Sequence, residues 1–169
     1  MGETGVFAPE ARLELIEGEI VEMAPIGSSH AGTVAILTRL LSRAAGDAAV
    51  VWVQNPVIIG ERSVPQPDVA LLKPRPDSYT RSHPLAADVL LVVEVSDATL
   101  AFDLGTKVPL YARAGIAETW VVDLQEHSLR VFRDPGASGY RTSFAAREDK
   151  VNSAALPQVT VDLAALFLE

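Results

Sequence analysis

The sequence predicts an α/β (α+β) domain in which a mixed central β-sheet lies between helices and is preceded by an N-terminal β-hairpin. Three observations predict it. Strand and helix signals follow the order hairpin, helix, short strands, central strand, helix, further strands. One run, DVLLVVEVS at 88–96, is almost continuously apolar, as in a strand covered on both faces. With 169 residues, 49% of them hydrophobic, the chain has the size of one compact unit, so residues 1–169 are read as a single domain.

The hairpin occupies residues 12–24. RLELI and EIVEMA alternate apolar and polar side chains about Glu17-Gly18, where Gly18 supplies the positive φ of a tight turn. A helix follows over 29–45. Val34, Leu37, Leu41 and Ala45 recur at helical spacing, Ser28 or Ser29 serves as N-cap, and Gly46 stands just past the end. VVWVQ at 50–54, PVIIG at 56–60 and PDVALLK at 67–73 read as consecutive sheet strands, each bounded by Pro, Gly or Asn. Pro74–Pro84, with three prolines among polar residues, reads as a surface loop that can flank a substrate groove.

After the central strand, residues 103–114 predict a second helix with Leu104, Val108 and Tyr111 on one stripe and Gly115 as its stop. Pro109 lies inside it, removes a backbone hydrogen bond and argues for a kink. TWVVDL, SLRVFRD and YRTSFAA predict three more strands, and VDLAALFLE a short closing segment. There is no internal repeat or linker, and GxGxxG, GxxxxGK[ST] and GxSxG are all missing, which argues against a dinucleotide fold, a P-loop and a nucleophile elbow.

The absence of cysteine excludes disulfides, thiolate metal sites and cysteine nucleophiles. The N-terminus is acidic rather than basic and apolar, and no apolar run approaches the roughly 20 residues of a membrane helix, so the chain reads as cytoplasmic with no membrane partner. A formal net charge of −8 disfavours non-specific binding to a polyanion, although a local basic strip such as Lys73, Arg75 and Arg81 is compatible with it.

Glu94 is the most informative single residue. It sits inside LLVVEVS, where a carboxylate loses water at a cost of several kcal/mol unless it is paired or holds a metal. The plainer reading puts it at a frayed strand end, reaching solvent or an arginine. Asp68 opens the apolar run DVALL. Alone it is ordinary Pro-Asp turn chemistry; with Glu94 it offers a second oxygen ligand of the kind an octahedral Mg²⁺ accepts. Lys107 follows Asp103 by four residues, and by spacing alone the two make a surface ion pair.

The segments ELIEGEIVEMAP, PQPDVALLKP and VLLVVEVSDATLAFDLGTKVPLYARAGIAETWVVD together closely resemble the Uma-two family. That family is a bacterial branch of the PD-(D/E)XK superfamily described as restriction endonucleases. The resemblance covers about Leu13 to Pro135. It implies a restriction-endonuclease-like fold, with Pro67-Asp68 as the PD and Glu94 as the acid on the next strand. The superfamily lysine would stand two residues after that acid, where this chain has Ser96; the resemblance implies that its role has moved to Lys107 on the following helix.

What the resemblance implies chemically is hydrolysis of DNA phosphodiester bonds, with Asp68, Glu94 and the carbonyl of Val95 as ligands of one or two Mg²⁺ (or Mn²⁺) ions and Lys107 orienting the attacking water. Because duplex cleavage often uses two copies of a one-site subunit, a homodimer is expected. His30, in the first turn of the first helix, is either a phosphate or acid contact or a helix-terminal histidine with a local bond. Glu22 either faces the site in the same way or is the outward member of an alternating strand, and the outward reading is favoured. His83 and His127 have no second histidine at ligand spacing, and Trp52 and Trp120 read as core. The alternative function is a catalytically inactive nuclease-fold module for interaction or regulation, motivated by the −8 charge and by Ser96.

Overall fold

The computed structural model describes residues 12–146 and 149–167. The acidic segment before Arg12 and the end of VDLAALFLE lie outside them. The fold class is the one the sequence predicts: six strands in the order β3-β4-β5-β6-β7-β8 form one mixed sheet, with helices packed against it. These are β3 (Val50–Val53), β4 (Val69–Leu72), β5 (Val89–Ser96), β6 (Glu118–Asp123), β7 (Ser128–Gly136) and β8 (Gly139–Ala145). Only β5 and β6 run parallel; every other neighbouring pair is antiparallel.

Before them, β1 (Leu13–Ile16) and β2 (Glu19–Glu22) make the hairpin. Its two-residue turn puts both Glu17 (φ 52°) and Gly18 (φ 90°) in the left-handed region, the geometry that matches strand twist. Helix α1 (Ser28–Ala45) buries Val34, Leu37 and Leu41, as its apolar stripe predicts. Its N-cap is Gly27 rather than a serine, and no side chain caps its first turn.

The two faces of the sheet follow strand alternation. Leu91, Val93 and Val95 of β5 point to one face and meet Leu37 and Leu41 of α1. Val92, Ala70 and Leu72 point to the other face, against Ile16 of the hairpin, Val57, Tyr111 and Ile116. Each fully buried Leu or Val contributes on the order of 1.5–3 kcal/mol. A further small pair, β9 (Lys150–Asn152) with β10 (Thr160–Asp162), and the closing turn α4 (Leu163–Leu166) extend the α1 side.

Two segments differ from expectation. PVIIG is not a strand. Val57 and Ile59 are buried, but their amides bond to Pro65 and Ser63 and that of Ile58 to Pro84, so the run is spread over separate partners by the reversal at Gly60 (φ 63°). The second helix starts earlier than predicted: α2 (Leu100–Phe102) leads through a π-helical turn, Asp103–Lys107, into α3 (Val108–Arg113). Pro109 lies just after that wide turn in a helix that is otherwise continuous, and the turn stands where its ring and missing N–H would disturb the bonds to the preceding carbonyls. Among the described residues, no helix is long and apolar enough to cross a membrane.

Candidate active site

The register of the sheet brings the two acids together. Val69 of β4 pairs with Val93 of β5 in an antiparallel ladder, so one step further Asp68 stands opposite Glu94 on the same face. Beyond that step β4 gives out, and the Val95 N–H, left without a strand partner on this side, donates to Asp68 Oδ2 at 2.9 Å. The N–H and C=O of an extended residue point the same way, so the Val95 carbonyl is aimed toward Asp68 as well. Both carboxylates and Val95 line one cavity of about 290 Å³ between the sheet and the hairpin.

Asp68 is held from three sides. Besides Val95, His30 Nε2 donates to Oδ2 at 3.1 Å and Gln54 Nε2 to Oδ1 at 3.2 Å. Burial alone would raise the Asp68 pKa, but the His30 hydrogen bond and charge, with the Val95 and Gln54 bonds, draw it below the ordinary aspartate value. The same hydrogen bond, working against burial, raises the pKa of His30. Gln54 adopts φ 49°, a left-handed conformation held by its own N–H, which donates to the Asp68 carbonyl at 3.1 Å.

Glu94 sits in a buried ionic cluster. Tyr111 donates its hydroxyl to Oε1 at 2.5 Å, and the Lys107 ammonium lies 3.3 Å from the same oxygen. Lys107 also contacts Glu14 Oε1 at 3.0 Å, so it bridges two buried carboxylates, and Glu14 further accepts the Gln66 N–H at 2.6 Å. Burial pushes the Glu94 pKa well above the usual carboxylate range, against the pull of Lys107. For Lys107, burial favours the neutral form, but the charges of Glu94, Glu14 and Asp103 outweigh it and hold the ammonium charged. Its partners are therefore Glu14 and Glu94, not the Asp103 that helical spacing suggests.

Asp103 instead accepts hydrogen bonds from Ser96 and Thr99, each 2.7 Å from its Oδ2. Ser96 is thus tied down by its neighbour, while Lys107 reaches Glu94 from the π-helical turn. Sequence reasoning missed Glu14, Gln54 and the functional face of Tyr111. Two of these left a signal. Glu14 shares strand parity with buried Ile16, an acid on the inward face, and Tyr111 follows Lys107 by four residues.

The other candidates fall into two groups. Glu22 is exposed and also lines the cavity, so it is both outward on its strand and beside the site. His83 and His127 do not line the cavity, nor does any residue of the Pro74–Pro84 loop, which is instead drawn together by Arg75 bonding to Asp77 and Ser82. Trp120 is buried and Trp52 packs against Tyr79.

Among the described residues, no group of three or more His, Asp or Glu side chains is placed to hold a metal by itself. The pair Asp68 and Glu94 with a main-chain carbonyl fits an oxygen-preferring divalent ion that keeps several waters. Glu94 Oε2 accepts no hydrogen bond among the described residues, whereas Oε1 takes both Tyr111 and Lys107.

A family model described as "Uma2: Putative restriction endonuclease" matches residues 4–164. A solved structure described as a "putative nuclease belonging to DUF820" from Anabaena variabilis ATCC 29413 is similar in fold, with a TM-score of 0.70 at 14% identity over 94% of this chain and 90% of that one. No curated protein matches the chain.

Proposed function

The chain belongs to the Uma2 family, and from that premise we propose that it is a divalent-metal-dependent endonuclease hydrolysing DNA phosphodiester bonds at a PD-(D/E)XK-type site. The observation that carries this reading is the opposition of Asp68 and Glu94 across the β4–β5 ladder, with Lys107 3.3 Å from Glu94 in the same cavity. Two carboxylates facing each other beneath apolar strands repel, and a cation between them relieves that repulsion.

In this reading Asp68, Glu94 and the Val95 carbonyl hold Mg²⁺ or Mn²⁺. The bound ion supplies an acidified water and charge stabilisation at the phosphate. The chain's own contribution is placement. His30, Gln54 and the Val95 N–H fix the Asp68 carboxylate, while Tyr111 and Lys107 fix Oε1 of Glu94 and leave Oε2 for the ion. Lys107, kept charged by Glu14 and Glu94, offsets negative charge on the phosphate and orients the attacking water. Severing both strands of a duplex with this single site would take two copies of the chain, hence a homodimer.

The test is cleavage of plasmid and oligonucleotide DNA by purified protein with Mg²⁺ or Mn²⁺. Nicking is expected, and Asp68→Asn and Glu94→Gln should each abolish it while the folded state persists by circular dichroism. Cleavage that survives both substitutions removes the proposal. No cleavage with a fully folded wild-type protein favours the inactive module.

A further inference from the structure

Resting on the phosphodiesterase reading above, we infer that the cavity takes an unpaired strand: a nucleotide swung out of the duplex or a single-stranded segment, its base lying against the apolar wall formed by Val21, Met23, Pro25, Ile26 and Phe102.

Depth is the first reason. Asp68, Glu94 and Lys107 are 6%, 2% and 4% exposed and line a cavity of about 290 Å³ together with the more exposed chain between β2 and α1. A phosphate on the outside of a paired duplex has to reach those buried groups past the more exposed lining. A strand freed from pairing can bend its backbone into the cavity, as enzymes acting on extruded nucleotides require.

Composition of the wall is the second. A phosphate gains nothing from Val21, Met23, Pro25, Ile26 and Phe102, which line the same cavity as the acids. A base does, because its flat face is apolar and every base has one. Ile26 is 39% exposed and Val21, Met23 and Phe102 are partly buried, so the wall keeps apolar surface in reach of an incoming group.

Charge is the third. A protein that holds a duplex does so mainly through several Lys and Arg contacts to phosphates. The cavity is lined by two cations of that kind, Arg12 and Lys107, against the acids Glu14, Glu22, Asp68, Glu94, Asp97 and Asp103. Lys107 shares its charge with Glu14 and Glu94, which leaves it little beyond the one phosphate at the site. So acidic a mouth repels the dense charge of a duplex, whereas a short unpaired strand brings few phosphates and replaces ionic contacts with base packing.

The experiment compares three oligonucleotides of one sequence with the full chain and Mn²⁺: single-stranded, fully paired, and paired except for an internal unpaired segment. Cleavage is expected on the first and within the unpaired segment of the third at least about tenfold faster than on the paired duplex, a barrier difference of about 1.4 kcal/mol. Met23→Ser with Ile26→Ser, both on the cavity wall, should raise KM for the single strand several-fold while changing kcat less than twofold. Equal or faster cleavage of the paired duplex overturns the inference and leaves phosphodiester hydrolysis standing. Cleavage of none of the three overturns both.

Discussion

The Tyr111 hydroxyl lies 2.5 Å from Glu94 Oε1, with Tyr111 fully buried and Glu94 only 2% exposed, at the cavity. A buried carboxylate is stable only with such partners, since an unsatisfied one carries its full desolvation cost. Tyr111→Phe removes the donor and keeps the ring, so it is expected to lower unfolding free energy by about 1–3 kcal/mol. Urea unfolding followed by circular dichroism reads this directly, and an unchanged midpoint would mean that water replaces the hydroxyl.

Lys107→Met probes the other partner of the same oxygen. Methionine fills similar volume but leaves Glu14 and Glu94 facing each other without a cation. Breaking a buried pair in this way costs about 3–5 kcal/mol. Adding Glu14→Gln to Lys107→Met removes one of the stranded charges, so the double variant should be more stable than Lys107→Met alone. If the two losses simply add, the three groups are not coupled as the geometry requires.

The sequence made β5, β6, α1 and the hairpin legible because their signals are local: an unbroken apolar run, a helical stripe, a two-residue turn. It also marked Glu94, since an acid inside such a run demands a partner. The partner itself was not readable. His30 and Gln54 meet Asp68 from 38 and 14 residues away, and Glu14 meets Lys107 only because the hairpin folds over the sheet. PVIIG misled for the converse reason, its alternation being real while its hydrogen bonds go to separate segments rather than one ladder.

Divalent metal should stabilise the fold through Asp68 and Glu94. At about 100 times its dissociation constant, Mn²⁺ is expected to add about 2.7 kcal/mol to the folded state and raise Tm accordingly. Asp68→Asn and Glu94→Gln should each erase the rise without abolishing the cooperative transition. An equal rise in both variants would place the ion elsewhere.

His30 touches the Asp68 oxygen that also takes the Val95 N–H, so in the proposed site it would act on a metal through Asp68. Groups that orient a ligand in this way typically affect metal affinity by about 10–100-fold. His30→Ala is therefore expected to weaken Mn²⁺ binding within that range, measured by calorimetry, and to lower cleavage at limiting Mn²⁺ far more than at saturating Mn²⁺. An equal loss of cleavage at both concentrations would instead give His30 a direct part in the chemistry.

In the proposed PD-(D/E)XK reading Ser96 stands where the pattern would carry lysine, which makes Ser96→Lys the sharpest test of whether Lys107 takes that role. Ser96 is fully buried and its hydroxyl donates to Asp103 at 2.7 Å. A lysine there has to fit four methylenes into closed packing and bury a second ammonium in a site with no room for its hydration. Overpacking costs about 1–3 kcal/mol, and the lost hydrogen bond to a charged acceptor about 1.5–3 more. Ser96→Lys should therefore be less stable than wild type by several kcal/mol, and Ser96→Lys combined with Lys107→Met should not regain cleavage. Restored cleavage in that double variant would return the lysine's role to position 96 and leave Lys107 as the buried counter-ion of Glu14 and Glu94.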